Sequence, residues 1–274
     1  MSATQVVAWD GSASAHAAVL WALERAHRRP GDLRLVTVID DALALSHSVR
    51  IAAEQALAAE VEWVQRQSSN CTVTPVLRTG DPEREIVGQC PPGSLLIVGT
   101  PQHNAPYHRR SLAARLVRMS AVPVAVIPRS PWTDRAGVLV GVDDSPPALT
   151  AALVAADEAH SRGETLHVVH AWPSPERAGR DEDELTDERE IQERVVQRVV
   201  SRIRTAYPDL DVAGHLETGR PTAVLLRQAV IRSVVLLVVG SRGHGAIQGF
   251  FLGSVSHGLV LTCDCPVLVV KGEV

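Results

Sequence analysis

The sequence predicts an α/β fold made twice: two tandem domains, residues 1–130 and 136–274, each a five-stranded parallel sheet of order 3-2-1-4-5 flanked by helices. Three observations carry this. The chain contains an internal duplication, its apolar runs are short and rich in Val, Leu and Ile, and longer segments with helical spacing lie between them.

The duplication is legible position by position. Val6 to Ser12 answers to Val140 to Ser145, with Asp10 aligned on Asp143 at an offset of 133, and Leu33 to Val38 matches Leu166 to Ala171 at the same offset. Leu95 to Gly99 matches Leu236 to Gly240, and Val122 to Val126 matches Cys265 to Val269, the offset having grown to 141 and then 143. The boundary falls in the polar, Pro-bearing stretch Arg129 to Arg135.

In the first copy the strands are expected near Gln5 to Trp9, Leu33 to Ile39, Thr72 to Arg78, Ser94 to Val98 and Val122 to Ile127, with helices between. In the second, Ile191, Val195, Val196, Val199 and Ile203 share one face of a long helix and Arg194, Arg198 and Arg202 point away, so that helix is expected to cover a sheet. The acidic run Asp181 to Glu184, with Asp187 and Glu188, reads as its solvated entry, where acids favour the helix dipole. Continuous apolar strands imply a parallel sheet buried on both faces, and right-handed crossovers leave few topologies. Ligands in such sheets bind beyond the carboxyl ends of the strands, where the strand order reverses.

Composition narrows the function classes. With 27 basic and 31 acidic residues the net charge is -4, which gives no overall bias toward polyanions, and nucleic acid is not an expected partner. The halves differ: residues 1–135 hold 14 basic and 12 acidic side chains, net +2, and residues 136–274 hold 13 and 19, net -6. Apolar runs such as Val234 to Val239 are far shorter than the roughly 20 residues that span a bilayer, and no export signal is readable near Met1, so a cytoplasmic, membrane-free protein is expected. Cys71, Cys90, Cys263 and Cys265 are few and dispersed; they are read as reduced packing residues, with Cys263-Asp264-Cys265 too tight for a C-x-x-C pair. The only Lys is Lys271, which removes Walker A, kinase-type and Schiff-base lysine chemistry. A bound phosphate would have to be held by backbone amides and arginines.

The first and fourth strands of the second copy end at Asp143 and Gly240. From Gly240 to Gly253 the chain has five glycines in fourteen residues, then Ser254 opens a helix. Glycine concentrates where a ligand approaches more closely than a Cβ allows, and a Gly-Ser helix entry offers uncommitted amides and the positive end of a dipole. Asp143 alone also fits a simple capping role through Ser145 and Pro146, and the glycines alone fit a surface turn. His244 and His257 are expected to be exposed, and no metal site is read.

The pattern Gly240-x-x-Gly243-x9-Gly253-Ser254, with Asp143 ending its strand and Pro266 to Val270 closing the sheet, resembles the nucleotide-binding signature of the universal stress protein family, in its ATP-binding branch. The resemblance covers nearly the whole chain as two tandem copies. It implies a Rossmann-like, adenine nucleotide alpha hydrolase-like fold and a regulatory, nucleotide-dependent role in stress response, with ATP and Mg2+ as the ligand. Asp143 would face the adenine and ribose edge, and Ala171 would offer backbone to the base. Gly240 and Gly243 would run beside ribose and phosphates, and Gly253, Ser254, Val255 and Ser256 would hold the phosphates, the two serines through their hydroxyls. Arg242 would add charge. The family's pairing of domains through the final strand implies an internal pseudo-dimer of the two copies, with a homodimer of whole chains and an unknown protein partner open.

The first copy departs from this pattern. Asp10, Ser12, Val38 and Gly99 keep their places, but Gln102 and Arg110 replace the second and third glycines, and the segment from Gly99 to Pro123 is two residues shorter than its counterpart. The first half is therefore expected to be a degenerate copy, with Arg109 and Arg110 still able to attract an anion. Two other classes stay open: a slow ATPase, for which no general base is evident in the Gly-rich loop, and a nucleotide-free protein-interaction module. A flavin-binding carrier of similar topology would be coloured.

Overall fold

The computed structural model describes residues 4–42, 46–68, 71–101, 107–129, 132, 134–172, 182–243 and 252–272, with backbone alone at 107–111 and 182–185. The expectations placed on Gln102, Arg109, Arg110, Asp181, His244 and the loop glycines Gly245 and Gly249 lie outside the described residues or side chains. The chain divides into two units, Met1–Ser130 and Pro131–Val274.

In the first unit the elements alternate strictly: β1 (Gln5–Ala8), α1 (Ala13–Arg28), β2 (Leu33–Ile39), α2 (His47–Gln67), β3 (Val73–Thr79), α3 (Pro82–Gly88), β4 (Leu95–Thr100), α4 (Tyr107–Met119) and β5 (Val124–Pro128). The strands pair in parallel in the order β3-β2-β1-β4-β5. The second unit repeats the plan with β6 (Val138–Val142), α5 (Pro146–Arg162), β7 (Leu166–Trp172), α6 (Glu182–Ala206), β8 (Val212–Thr218), α7 (Pro221–Ile231), β9 (Leu236–Gly240), α8 (Ser254–Thr262) and β10 (Val267–Val270). Its order, β8-β7-β6-β9-β10, is again parallel. The expected 3-2-1-4-5 arrangement therefore holds in both units.

Local chemistry explains the helices that matter for the site. Ser12 caps α1 by accepting the Ala15 N–H at 3.1 Å, and Ser145 caps α5 ahead of Pro146 and Pro147, whose missing N–H groups cost nothing in a first turn. Both helices bury alanine-rich faces, Ala148, Ala151, Ala152, Ala155, Ala156 and Ala159 in α5, so they lie close on the central strands. α5 ends at Gly163, whose φ of 67° is the left-handed cap that glycine adopts without a Cβ penalty.

Two expectations need correction. The flanking strands β3 and β8 are not buried on both faces, because helix cover fades at the margin of the sheet; Pro75 is tolerated on β3 for that reason. On α6 the buried stripe is Val195, Val196, Val199, Val200 and Ile203, whereas Ile191 is 51% exposed. In that turn the inward contact belongs to Gln192, whose Oε1 lies 2.8 Å from His170 Nε2. Periodicity gives a side chain's direction, not whether a partner waits there.

His167 on β7 and His215 on β8 lie with Nδ1 and Nε2 3.3 Å apart, and the Arg232 guanidinium is 3.1 Å from His215 Nδ1. Burial first, then Arg232, lowers both imidazole pKa values from 6.5. The unfolded chain therefore binds more protons than the folded one just below pH 6.5, so stability is complete above that value and is lost as pH falls through the depressed folded pKa values. Urea titrations between pH 5 and pH 7 should show stability rising with pH, and His215→Gln should flatten that rise.

Candidate functional site

At the carboxyl ends of β6 and β9, where the strand order reverses, the second unit holds a cleft of about 320 Å3. All nine residues singled out in the sequence line it: Asp143 and Ala171 follow or end β6 and β7, Gly240, Arg242 and Gly243 leave β9, and Gly253, Ser254, Val255 and Ser256 open α8. Val142, Val169 and Leu225 supply an apolar wall, with Ala148 and Pro221 from α5 and α7. Sequence reasoning missed these wall residues. Only Val142 carried a positional signal, as the last residue of a strand flanking the reversal; Ala148, Pro221 and Leu225 lie on helices and carried none.

Asp143 does two things at once. Its Oδ1 accepts the Ser145 N–H at 3.1 Å and the Ser145 hydroxyl, while the Ser145 hydroxyl oxygen receives the Ala148 N–H at 3.4 Å, so the carboxylate anchors the α5 cap. Asp10 holds Ser12 in the same way in the first unit, the Ser12 N–H donating at 3.0 Å. The other oxygen of Asp143 faces Gly243, where an added Cβ would collide with it. A side chain at 243 would therefore displace the carboxylate, and the capping and site readings of Asp143 are compatible. Ser145→Ala should cost about 1 kcal/mol in chemical denaturation, as loss of a helix cap does.

The open end of α8 is the polar feature of the cleft. Gly253 occupies the cap position in extended backbone with no side-chain cap, and the first intrahelical bond is the His257 N–H to Gly253 O at 2.9 Å. The N–H groups of Ser254, Val255 and Ser256 therefore take no acceptor among the described residues. The serines divide. Ser254 is exposed, but the Ser256 side chain is 2% exposed and its hydroxyl faces the carbonyls of Gly253 at 3.0 Å and Ser241 at 3.3 Å. The Ser256 hydroxyl, expected with that of Ser254 to serve a ligand, is engaged by these two carbonyls and braces the helix entry.

Positive charge adjoins this end. Arg242 lies in the lining, and Lys271, just past β10, has its ammonium pKa pushed down to about 8 by burial and by Arg242. The lysine that the sequence set aside for its terminal position is thus brought by the fold near the site.

The first unit has the same elements with less room. A Cβ on Gly99, at the end of β4, would sit inside the Ser14 carbonyl, whereas the same atom on Gly240 would meet the Pro147 carbonyl oxygen at 3.3 Å and the Arg242 oxygen at 3.1 Å. Ser14 and Pro147 are equivalent positions at the offset of 133. The first turn of α1 is therefore pressed onto the end of β4, where α5 stands further from the end of β9.

Two doubly wound units, one with a glycine-walled cleft and an open helix end at its reversal point, define a tandem Rossmann-like α/β protein. The profile of the Universal stress protein family matches residues 1–128 and 137–271, and the chain belongs to that family. It is 30% identical to Universal stress protein Rv1996 of Mycobacterium tuberculosis over 97% of this chain and 94% of that protein. It is 28% identical to a universal stress protein of Mycolicibacterium smegmatis over 97% and 96%. In fold it is similar to the crystal structure of a universal stress protein from Archaeoglobus fulgidus, with a TM-score of 0.71 at 21% identity over 98% of both chains. Among the described residues no helix is long and apolar enough to cross a membrane.

Proposed function

We propose that the second unit binds one ATP and that the first is a degenerate copy kept for packing, so that the protein acts as a nucleotide-dependent regulator in stress response. The observation that carries this is the gathering around one cleft of the nine residues that the resemblance singles out, with three amides left open at its helix end. Adenine and ribose lie against Asp143, Ala171 and the apolar wall. Gly240 and Gly243 let the main chain pass close to the ribose and phosphates, and the amides of Ser254, Val255 and Ser256, with Arg242, receive the phosphate tail at the positive end of α8. Mg2+ accompanies the ATP as the counter-ion of its phosphates. The reading is binding rather than turnover, since no general base is evident in the sequence of the Gly-rich loop.

Mass spectrometry of nucleotide released on denaturing freshly purified protein tests this directly. One adenine nucleotide per chain is expected; two would refute the degenerate first unit, and none, together with no thermal shift in Mg-ATP, would remove the reading.

A further inference from the structure

Cys263 and Cys265 face each other with their sulfurs 3.3 Å apart, on the bend between α8 and β10. The cause is a backbone turn that both units share. In the first unit the equivalent bend places the Ser120 hydroxyl oxygen where it accepts the Val122 N–H at 3.1 Å and donates to Val122 O at 2.8 Å. Pro123 and Pro266 follow these bends at the offset of 143, so Cys263 stands where the first unit has Ser120, and Cys265 where it has Val122. The turn folds side chain i back over residue i+2. With sulfur at both positions, it makes a pair.

We propose that Cys263 and Cys265 are a reversible dithiol–disulfide couple, oxidised by hydroperoxides. Cys263 is the attacking sulfur: it is partly exposed, whereas Cys265 is 1% exposed and reachable chiefly through its neighbour. The Cys263 thiolate attacks an oxygen of hydrogen peroxide, the O–O bond breaks, and the leaving hydroxide takes up the proton that the thiol had released and departs as water, giving a sulfenic acid; an organic hydroperoxide releases its alcohol in place of this water. The Cys265 sulfur then attacks the Cys263 sulfur, the S–O bond breaks, and a second water leaves with the Cys265 proton. Two thiols lose two electrons and the peroxide gains them. Closing the bond asks the sulfurs to approach by about 1.3 Å, from 3.3 Å to a disulfide length of about 2.0 Å.

The surroundings favour this order. The Cys265 thiol and backbone N–H both donate to the Cys263 sulfur, and Arg135 lies nearby, so the Cys263 thiol is held below its ordinary pKa of 9.0 despite burial and Asp264. Donating that hydrogen bond, and being buried, raises Cys265. The other cysteines are poor competitors: the Cys71 thiol donates to Gly31 O at 3.1 Å and its pKa is raised by burial, and burial pushes Cys90 up to about 11.

The test uses the full chain, reduced, freed of thiol, and treated with one equivalent of hydrogen peroxide before free thiols are alkylated. Trypsin cleaves after Arg242 and Lys271, so the 243–271 peptide carries this pair and no other cysteine. The expected result is that peptide two hydrogens lighter and unalkylated until reduced, in a monomeric chain, with its thiols lost about ten-fold or more faster than Cys71 or Cys90. Cys265→Val and Cys263→Ser install the side chains that the sister turn already holds. The first should accumulate a sulfenic acid at Cys263 that dimedone traps, and the second should leave Cys265 unoxidised. A wild-type peptide that is oxidised only to sulfenic or sulfinic acid, that remains fully alkylatable, or that cross-links two chains would overturn the proposal, whatever the variants do. None of these outcomes depends on nucleotide binding.

Discussion

Gly253→Trp will abolish nucleotide retention while leaving the fold largely intact. Gly253 has φ -61° and ψ 151°, ordinary extended backbone, so a side chain there meets no conformational barrier. Its Cβ would stand 3.3 Å from Ser241 O and 3.5 Å from Ser256 Oγ, tight but tolerable. An indole beyond it enters the cleft in front of the amides of Ser254, Val255 and Ser256, the place assigned to phosphate. The wild-type protein should gain about 2.7 kcal/mol of stability in Mg-ATP at 100 times Kd, and the variant nothing, with the ligand-free forms within about 1 kcal/mol of each other. Melts with and without Mg-ATP, together with equilibrium dialysis, read both quantities. A variant that still binds ATP normally would mean that the phosphates do not lie at the helix entry.

The second large effect concerns the fold of the first unit. Gly99→Ala should destabilise by about 3 kcal/mol, against about 1 kcal/mol for Gly240→Ala, because both obstacles are backbone but only at residue 99 would the added carbon overlap it rather than press against it. The Cβ of residue 99 would lie within the Ser14 carbonyl group, so the first turn of α1 must lift from the end of β4. At residue 240 the nearest atoms are carbonyl oxygens at 3.1 and 3.3 Å, which shift by a few tenths of an ångström. Parallel thermal melts should separate the two variants, at roughly 4 °C per kcal/mol. Equal losses would show that the two reversal points are equally spacious, and would remove the steric part of the case that the first unit is degenerate.

Much of the candidate site was legible because its residues mark the ends of repeated, strongly patterned strands. Asp143 and Gly240 each follow an apolar run, and the switch-point rule brings such ends together whatever the intervening sequence. What was not legible were interactions decided at the scale of an ångström between distant segments. Ser256 and Ser254 are the same residue type two positions apart, yet one hydroxyl is turned onto Ser241, fifteen residues earlier, and the other is exposed.

By itself, then, the sequence determined that two copies of one α/β plan stand in tandem, in which strand order the sheets run, and where the glycines crowd, since periodicity and duplication are properties of the chain read along its length. The tertiary structure alone decided that α1 crowds β4 while α5 leaves room, that Asp143 serves a helix cap as well as a cleft, that Lys271 comes near Arg242, and that Cys263 meets Cys265. Each depends on how closely separate pieces of backbone approach, and that distance is set by packing in three dimensions, which no local pattern encodes.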